Sequence, residues 1–151
     1  VVCFQSLILD MAGNVGTQSL AVTIRVLTDE NLSRKEILHL IFKEVKVGMS
    51  GGFVLGSIAF VAIGIYIAVI KAKTLVFAFA VSACIGVSLM LAMAVSSFMG
   101  TVIPIFFKSI KVDPAVASGP LITTVNDLVA VITYYGLVWI MLINCLHLGN
   151  A

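Results

Sequence analysis

Four long, almost uncharged stretches limit what this chain can fold into. They cover residues 1–27, 47–70, 74–107 and 114–146. Each exceeds the roughly 20 residues with which a helix crosses about 30 Å of hydrocarbon. The strands of a membrane barrel would instead give segments of about ten residues with alternating hydrophobicity. The pattern therefore predicts an all-α membrane protein, a polytopic helical bundle with four long transmembrane helices.

The composition supports a membrane protein and excludes an ordinary soluble domain. Hydrophobic residues make up 61% of the chain and charged residues 11%, whereas soluble domains are about half apolar and about a quarter charged. The net charge of +2 requires no nucleic-acid partner, since the basic residues would lie near anionic lipid headgroups. We expect residues 1–151 to form a single transmembrane domain of a longer protein, because no signal peptide or initiator Met precedes the first stretch.

The basic residues predict the orientation of the bundle. Loops 28–46 and 108–113 must lie on one side of a four-helix chain, and the positive-inside rule makes the more basic side cytoplasmic. Lys71 and Lys73 are the basic residues of the remaining loop. The two loops on the other side, with their flanks, contain Arg25, Arg34, Lys35, Lys43, Lys46, Lys108 and Lys111. The prediction is therefore a multi-pass protein of the cell membrane, with loops 28–46 and 108–113 cytoplasmic and the C-terminus outside.

Residues 34–46 have the pattern of a short amphipathic helix. Ser33 and Glu36 have the spacing of a capping box, in which each side chain bonds the other residue's backbone N–H. Apolar residues then recur at helical spacing opposite charged ones. We expect this helix to lie on the cytoplasmic face and to lead into the second transmembrane stretch.

That second stretch opens with a doubled GxxxG pattern. Gly48, Gly52 and Gly56 recur every four residues, so they share one face of a helix. Missing side chains let a second helix approach closely within a membrane. The pattern predicts helix packing rather than a direct role in binding.

Two carboxylates interrupt the apolar stretches, Asp10 in the first and Asp127 in the fourth. An ionised side chain near the bilayer centre costs a few kcal/mol, so such residues usually face a bundle interior or a water-filled path. No Lys or Arg stands at a matching depth. We therefore predict a polar pathway that contains both acids.

Further polar residues accompany both acids. Gly13 and Gly16 are expected to loosen the first helix and expose carbonyls, which is allowed at membrane depth only where the backbone lines a cavity or is covered by protein. The polar block of the first stretch consists of Asp10, Gly13, Asn14, Gly16, Thr17, Gln18 and Ser19. In the fourth stretch, the face predicted to be polar contains Thr123, Asp127, Ala130 and Tyr134, with Thr124 and Asn126 beside it.

The two polar faces are predicted to oppose each other. On the first helix, Asp10, Asn14, Thr17 and Ala21 share a face by their spacing. At a rise of roughly 1.5 Å per residue, Asn14 lies about 16 Å from Arg25 and Asp127 about 10 Å beyond Pro120, which are similar depths. The alternative is a set of interhelical hydrogen bonds that only hold the bundle together.

The donor atoms favour a hard cation. Unpaired acids select cations, and the absence of His or thiolate partners argues against zinc or copper. Oxygen donors suit Mg²⁺ or Ca²⁺, and Mg²⁺ usually keeps several waters. The residues alone do not choose between the two ions.

Two runs closely resemble the signature regions of the MgtE-type magnesium channels. One is residues 13–19, Gly-Asn-Val-Gly-Thr-Gln-Ser, followed by Arg25, and the other is residues 113–120, followed by Thr123, Thr124 and Asp127. The resemblance implies a homodimer in which helices matching residues 1–27 and 120–146 line a central Mg²⁺ pore. It also implies cytoplasmic regulatory domains and one preceding transmembrane helix in the full-length protein.

The resemblance also implies roles for individual residues. Asp127 matches the magnesium-binding acid, and Thr123, Asn14 and Thr17 match positions near the ion path. Further pore-lining candidates are Asp10, Gly13, Gln18, Thr124, Asn126 and Ala130. Two positions depart from the family pattern, since Asp10 stands where many members have a small residue and Thr17 where some have Asn.

Two other functional classes remain to be weighed. An ion-coupled secondary transporter of cations would also place acids at mid-membrane, but usually in repeated halves, and residues 1–70 and 74–146 show no convincing repeat. An enzyme would need a nucleophile with a base or a metal motif such as HExxH. His39 and His147 are predicted near the membrane surfaces, away from both acids, so we expect the chain not to be an enzyme.

Overall fold

The computed structural model describes residues 4–29, 32–72, 74–117 and 120–140. Four α-helices follow one another: α1 (Gln5–Asp29), α2 (Arg34–Val69), α3 (Leu75–Ser109) and α4 (Pro120–Val138). A 3₁₀ turn at Pro114–Ala117 precedes α4. The predicted all-α class is confirmed, and the predicted ends of the first and fourth stretches, residues 1–3 and 141–146, lie outside the described residues.

Three of these helices are long and apolar enough to cross a membrane. They are α2, α3 and the Leu121–Val138 part of α4. Within the described residues α1 does not reach that threshold, because its polar block lowers the mean hydropathy. The described part of the chain therefore contains three membrane-spanning candidates by composition, and a fourth span through α1 stays a prediction.

Helix α2 differs from its prediction, because residues 34–46 do not form a separate amphipathic helix. The capping box is confirmed: the Ser33 backbone N–H donates to Glu36 Oε2 at 2.7 Å, and the Glu36 N–H donates to Ser33 Oγ at 3.4 Å. From there one uninterrupted helix continues to Val69. Its buried positions Leu40, Glu44 and Gly48 recur every four residues, so the buried stripe already begins in the charged segment.

The doubled GxxxG packs α2 directly onto α3. A Cβ atom placed on Gly52 would lie 2.7 Å from Met90 Cα, and one on Gly56 would lie 2.7 Å from the Gly86 carbonyl oxygen. The relation is mutual, because a Cβ on Gly86 would lie 2.8 Å from the Gly56 oxygen. Since backbone atoms occupy that space, no side chain fits, and the packing prediction for these glycines is confirmed.

Helix α3 is the centre of the bundle. It packs against α2 along one side and against α1 and α4 along the other, while α1 and α2 barely meet. At one end, Lys108 Nζ donates to the carbonyl oxygen of Leu27 at 2.6 Å. A cation there also complements the negative end of the α1 dipole. This contact brings the C-terminal ends of α1 and α3 together, so the predicted cytoplasmic loops lie at one end of the bundle.

A short hydrogen-bonded chain joins three helices inside the bundle. Ser97 Oγ donates to the Glu44 carbonyl oxygen at 2.7 Å, and Ser19 Oγ lies 2.7 Å from Ser97 Oγ. Because the single Ser97 proton is used toward Glu44, Ser19 must be the donor in the second bond. α1, α3 and α2 are thereby linked through buried hydroxyls.

Candidate cation site between helices α1 and α4

Two contacts set the register between the antiparallel helices α1 and α4. At one end, the Tyr135 hydroxyl donates to Gln5 Oε1 at 2.7 Å. Farther along, the Asn126 side chain fills the space beside Gly16. Counting along both helices from these contacts places Asp127 at the level of Asn14. This register agrees with the similar depths predicted for those two residues.

An open groove of about 420 Å³ lies between the two helices. Asp10, Asn14 and Thr123 are exposed along it, and Gly13, Thr17 and Asp127 are half-buried. The structure thus brings six of the predicted site residues to one groove. Its full lining is Ser6, Leu9, Asp10, Gly13, Asn14, Thr17, Thr123 and Asp127.

Ser6 and Leu9 belong to the groove although the sequence analysis did not select them. Ser6, Asp10 and Asn14 are spaced four residues apart, so they lie along one helix face. That spacing was the available signal for Ser6. Leu9 carries no polar group, and nothing in its sequence context distinguishes it from the lipid-facing leucines.

The predicted loosening of α1 at its glycines is wrong. Helix α1 runs unbroken through Gly13 and Gly16. The Thr17 hydroxyl donates back to the carbonyl oxygens of Gly13 at 2.9 Å and Asn14 at 3.0 Å. Gly16 instead makes room for a neighbouring side chain, because a Cβ there would collide with Asn126, whereas a Cβ on Gly13 would meet nothing within 4 Å.

Four predicted pore-lining residues lie away from the groove. Asn126 and Ala130 are fully buried within the protomer, so they do not line this groove. The physical reason is the helical spacing, because the inward stripe of α4 contains Ile122, Asn126, Ala130 and Tyr134, all 0% exposed and four residues apart. Thr123 and Asp127 lie on the adjacent face. Gln18 and Thr124 are exposed but are not among the residues that line the groove.

The donor atoms of the groove are of the kind that hard cations prefer. Its polar side chains offer carboxylate, amide and hydroxyl oxygens, and it contains two carboxylates but no Lys or Arg. Within the part of the chain that the structure describes, no three His, Cys, Asp or Glu side chains form a group suited to a tightly held metal. Two acids among neutral oxygen donors fit a divalent ion that keeps part of its water shell.

Comparison with known proteins identifies the family. The sequence profile of MgtE, described as a divalent cation transporter, matches residues 5–137. The chain belongs to the MgtE family. All eight residues that line the groove fall within the matched range, and the resemblance carried by the two signature runs is confirmed.

Three proteins named magnesium transporter MgtE are similar to this chain. The protein of Bacillus subtilis is 40% identical over 134 residues, and that of Enterococcus faecalis is 37% identical over 134 residues. The protein of Thermus thermophilus is 28% identical over 136 residues. Each match covers 89% of this chain but 28% of the relative. The chain therefore spans well under a third of the length of these MgtE proteins.

Proposed function

We propose that this chain is a transmembrane pore domain, comprising residues 1–151, that moves Mg²⁺ across the membrane through a pore at a homodimer axis. The observation that carries the proposal is the α1–α4 groove, where two carboxylates and neutral oxygen donors converge on the side of an apolar bundle. Membership of a divalent cation transporter family supports the choice of cargo.

The location of the groove supports a dimer. The groove is open on the surface of the protomer, where a lipid-facing carboxylate would cost a few kcal/mol. A second copy related by a two-fold axis covers both grooves and places them against each other. The paired grooves then contain four carboxylates, from Asp10 and Asp127 of each copy, around one aqueous path.

Within the path, Asp127 is the proposed Mg²⁺-binding acid. Mg²⁺ demands octahedral oxygen ligation and gives up water reluctantly, so it is bound through one or two carboxylates and retained waters. Asn14 lies at the level of Asp127, and Thr17 and Thr123 line the same groove. These three residues complete the polar lining around the hydrated ion, while Asp10, one helical turn or about 6 Å outward, concentrates cations at the entrance.

The proposed setting is the cell membrane, with loops 28–46 and 108–113 in the cytoplasm. The shared position of the C-terminal ends of α1 and α3 supports placing both loops on one side. In the full-length protein, cytoplasmic regulatory domains are the proposed partners of that side, and membrane lipid surrounds the bundle.

The direct test is ion flux through the purified chain in liposomes, with Mg²⁺, Ca²⁺, Co²⁺ and Na⁺ compared. Asp127→Asn keeps the side-chain shape but removes the charge, so Mg²⁺ flux should collapse while the dimer and its thermal stability persist. Asp113→Asn is the matched control. The Asp113 Oδ1 accepts the Ala115 N–H at 2.9 Å outside the groove, and an Asn oxygen can accept the same bond.

The outcomes separate the competing functions. Wild-type Mg²⁺ flux in Asp127→Asn removes Asp127 from the path. Loss of both the dimer and the flux in that variant assigns Asp127 a structural role instead. Flux that requires a proton or Na⁺ gradient identifies an ion-coupled secondary transporter, whereas flux driven by the Mg²⁺ gradient alone identifies a channel.

A further inference from the structure

Helix α1 is held from two sides at Gly16. On the α3 side, a Cβ on Gly100 would collide with the Gly16 carbonyl oxygen and lie 3.3 Å from Gly16 Cα. On the α4 side, a Cβ on Gly16 would collide with the Asn126 amide nitrogen and lie 2.7 Å from Asn126 Cγ. The same Cβ on Gly16 would also lie 2.5 Å from Ser96 Oγ of α3. Since the α3 backbone lies behind it, α1 cannot retreat from α4 at this level.

Asn126 is an unusual residue for such a contact. Its side chain is fully buried, and neither Nδ2 nor Oδ1 has a hydrogen-bond partner among the described residues. A buried amide without partners carries the full desolvation cost of both groups. An apolar side chain would pack α4 against α1 without that cost, so packing stability alone does not account for this residue.

The contact lies next to both walls of the groove. Gly16 precedes Thr17 on the α1 wall, and Asn126 precedes Asp127 on the α4 wall. An amide that fills the gap beside a glycine therefore fixes how far Asp127 stands from Asn14 and Thr17. The distance between α1 and α4 at this level therefore depends on the size of the Asn126 side chain and on the absence of one at Gly16.

We infer that the Asn126–Gly16 contact is a spacer that sets the width of the groove and thereby its preference for Mg²⁺ over Ca²⁺. The inference rests on the proposed function, because it assigns a selectivity to the path proposed there. Mg²⁺ needs near-ideal octahedral order, whereas Ca²⁺ accepts six to eight ligands in flexible geometry. A change in the distance between the groove walls therefore weakens Mg²⁺ binding more than Ca²⁺ binding. Asn126 acts through Asp127 as a positioning residue and does not touch the ion.

Two variants should increase the distance between α1 and α4, one by adding a carbon atom on α1 and the other by adding one on α4. Gly16→Ala adds a methyl group against Asn126, and relieving a 2.7 Å approach to an ordinary carbon contact moves α4 outward by roughly 1 Å. Asn126→Gln adds one methylene from the α4 side and tests the same idea if Gly16→Ala does not fold. In Gly16→Ala/Asn126→Ala the amide that collides with the new methyl group is gone and only the Ser96 hydroxyl, the end of a side chain, must still shift, so the width should return toward wild type.

Gly136→Ala is the matched control. Gly136 lies on α4, and a Cβ there would meet nothing within 4 Å. The change has the same chemistry as Gly16→Ala but cannot push the helices apart. It should leave both the helix separation and the ion preference unchanged.

Two independent measurements follow each variant. The first is the α1–α4 distance from spin labels at Ala21 and Leu128, both exposed and outside the groove lining, on a chain whose native cysteines are replaced by alanine. Labelled chains are diluted with unlabelled chains so that only distances within one protomer are read. The second is the ratio of Mg²⁺ to Ca²⁺ flux in liposomes.

The expected result is a longer α1–α4 distance in Gly16→Ala and Asn126→Gln, with a Mg²⁺/Ca²⁺ flux ratio lowered about tenfold, the lower end of what one misfitted methylene produces in a binding pocket. The double variant should recover both quantities.

Unchanged distances in both single variants overturn the spacer, whatever the flux. A lengthened distance with an unchanged flux ratio also overturns the assigned selectivity. If Mg²⁺ flux and Ca²⁺ flux fall equally while the α1–α4 distance is unchanged, the contact serves fold stability. Absence of Mg²⁺ flux in the wild-type chain rejects the proposed function itself.

Discussion

The glycine stripe of α2 allows a prediction in which two adjacent glycines should respond differently to the same substitution. Gly52 faces the α3 backbone, where a Cβ would lie 2.7 Å from Met90 Cα and 3.1 Å from the Met90 oxygen. Gly51 is one residue away, and the nearest atom to its Cβ would be Met93 Cε at 3.4 Å. Gly52→Ala should therefore destabilise the bundle relative to Gly51→Ala.

The magnitude follows from the contacts. At Gly52 the opposing atoms belong to a helix backbone, so α2 must move by roughly 1 Å to reach ordinary carbon contact. Overpacking of this kind costs about 1–3 kcal/mol. At Gly51 the contact is ordinary, and it involves the end of a flexible side chain. The gain in helix propensity, about 1 kcal/mol from Gly to Ala, applies equally to both positions and cancels in the comparison.

Unfolding of the purified chain in mixed micelles, titrated with a denaturing detergent and followed by circular dichroism, measures the difference. The free energy of unfolding of Gly52→Ala should fall below that of Gly51→Ala by about 1–3 kcal/mol. If the two variants are equally stable, α2 does not approach α3 as closely as the structure has it, and the reasoning fails.

Three further predictions use other features of the bundle. Ser97→Ala removes the donor to Glu44 and the acceptor for Ser19 and should cost about 1–3 kcal/mol of unfolding free energy, whereas Thr23→Val removes a buried hydroxyl without a partner among the described residues and should cost little in the same unfolding assay. Asp10→Asn should lower Mg²⁺ flux more at low than at high Mg²⁺ concentration, and an unchanged concentration dependence would exclude Asp10 from cation attraction. The hydrogen bonds with Ser33 hold the pKa of Glu36 below its usual value of 4.5, so the capping box should stabilise the start of α2 fully above pH 4.5 and lose that stabilisation as pH falls through the lowered pKa. Amide exchange of the first turn against pH measures this loss, and Glu36→Gln, which removes the titrating carboxyl, should abolish the pH dependence.

The helices could be predicted because hydrocarbon permits few alternatives. Long apolar stretches must satisfy their backbone groups internally, and the ends of α3 lie within two residues of the stretch 74–107. The capping box also fixed the start of α2 correctly. The separate amphipathic helix did not follow, because Gly48 and Gly52 pack against α3 within one continuous helix and do not end it.

The groove itself was only partly predictable. Asp10, Asn14 and Thr17 lie on a common face by spacing, and α1 presents them together. On α4, the spacing of Thr123 and Asp127 equally suits a stripe through Ala130 and a stripe that excludes it. Which stripe faces inward depends on what α1 and α3 offer as partners, and that information is absent from the α4 sequence.

Gly16 explains why Asn126 lies outside the groove. From the sequence, a glycine inside a polar block suggests an irregular helix, and an Asn beside an acid suggests a second ligand. In the structure the two features account for each other, because the missing side chain of Gly16 is the space that the buried amide of Asn126 occupies. Gly16 and Asn126 lie next to the predicted ligands Thr17 and Asp127, but they do not line the groove themselves. Tertiary complementarity of this kind cannot be derived from either helix alone, so the proposed spacer could not be predicted from the sequence.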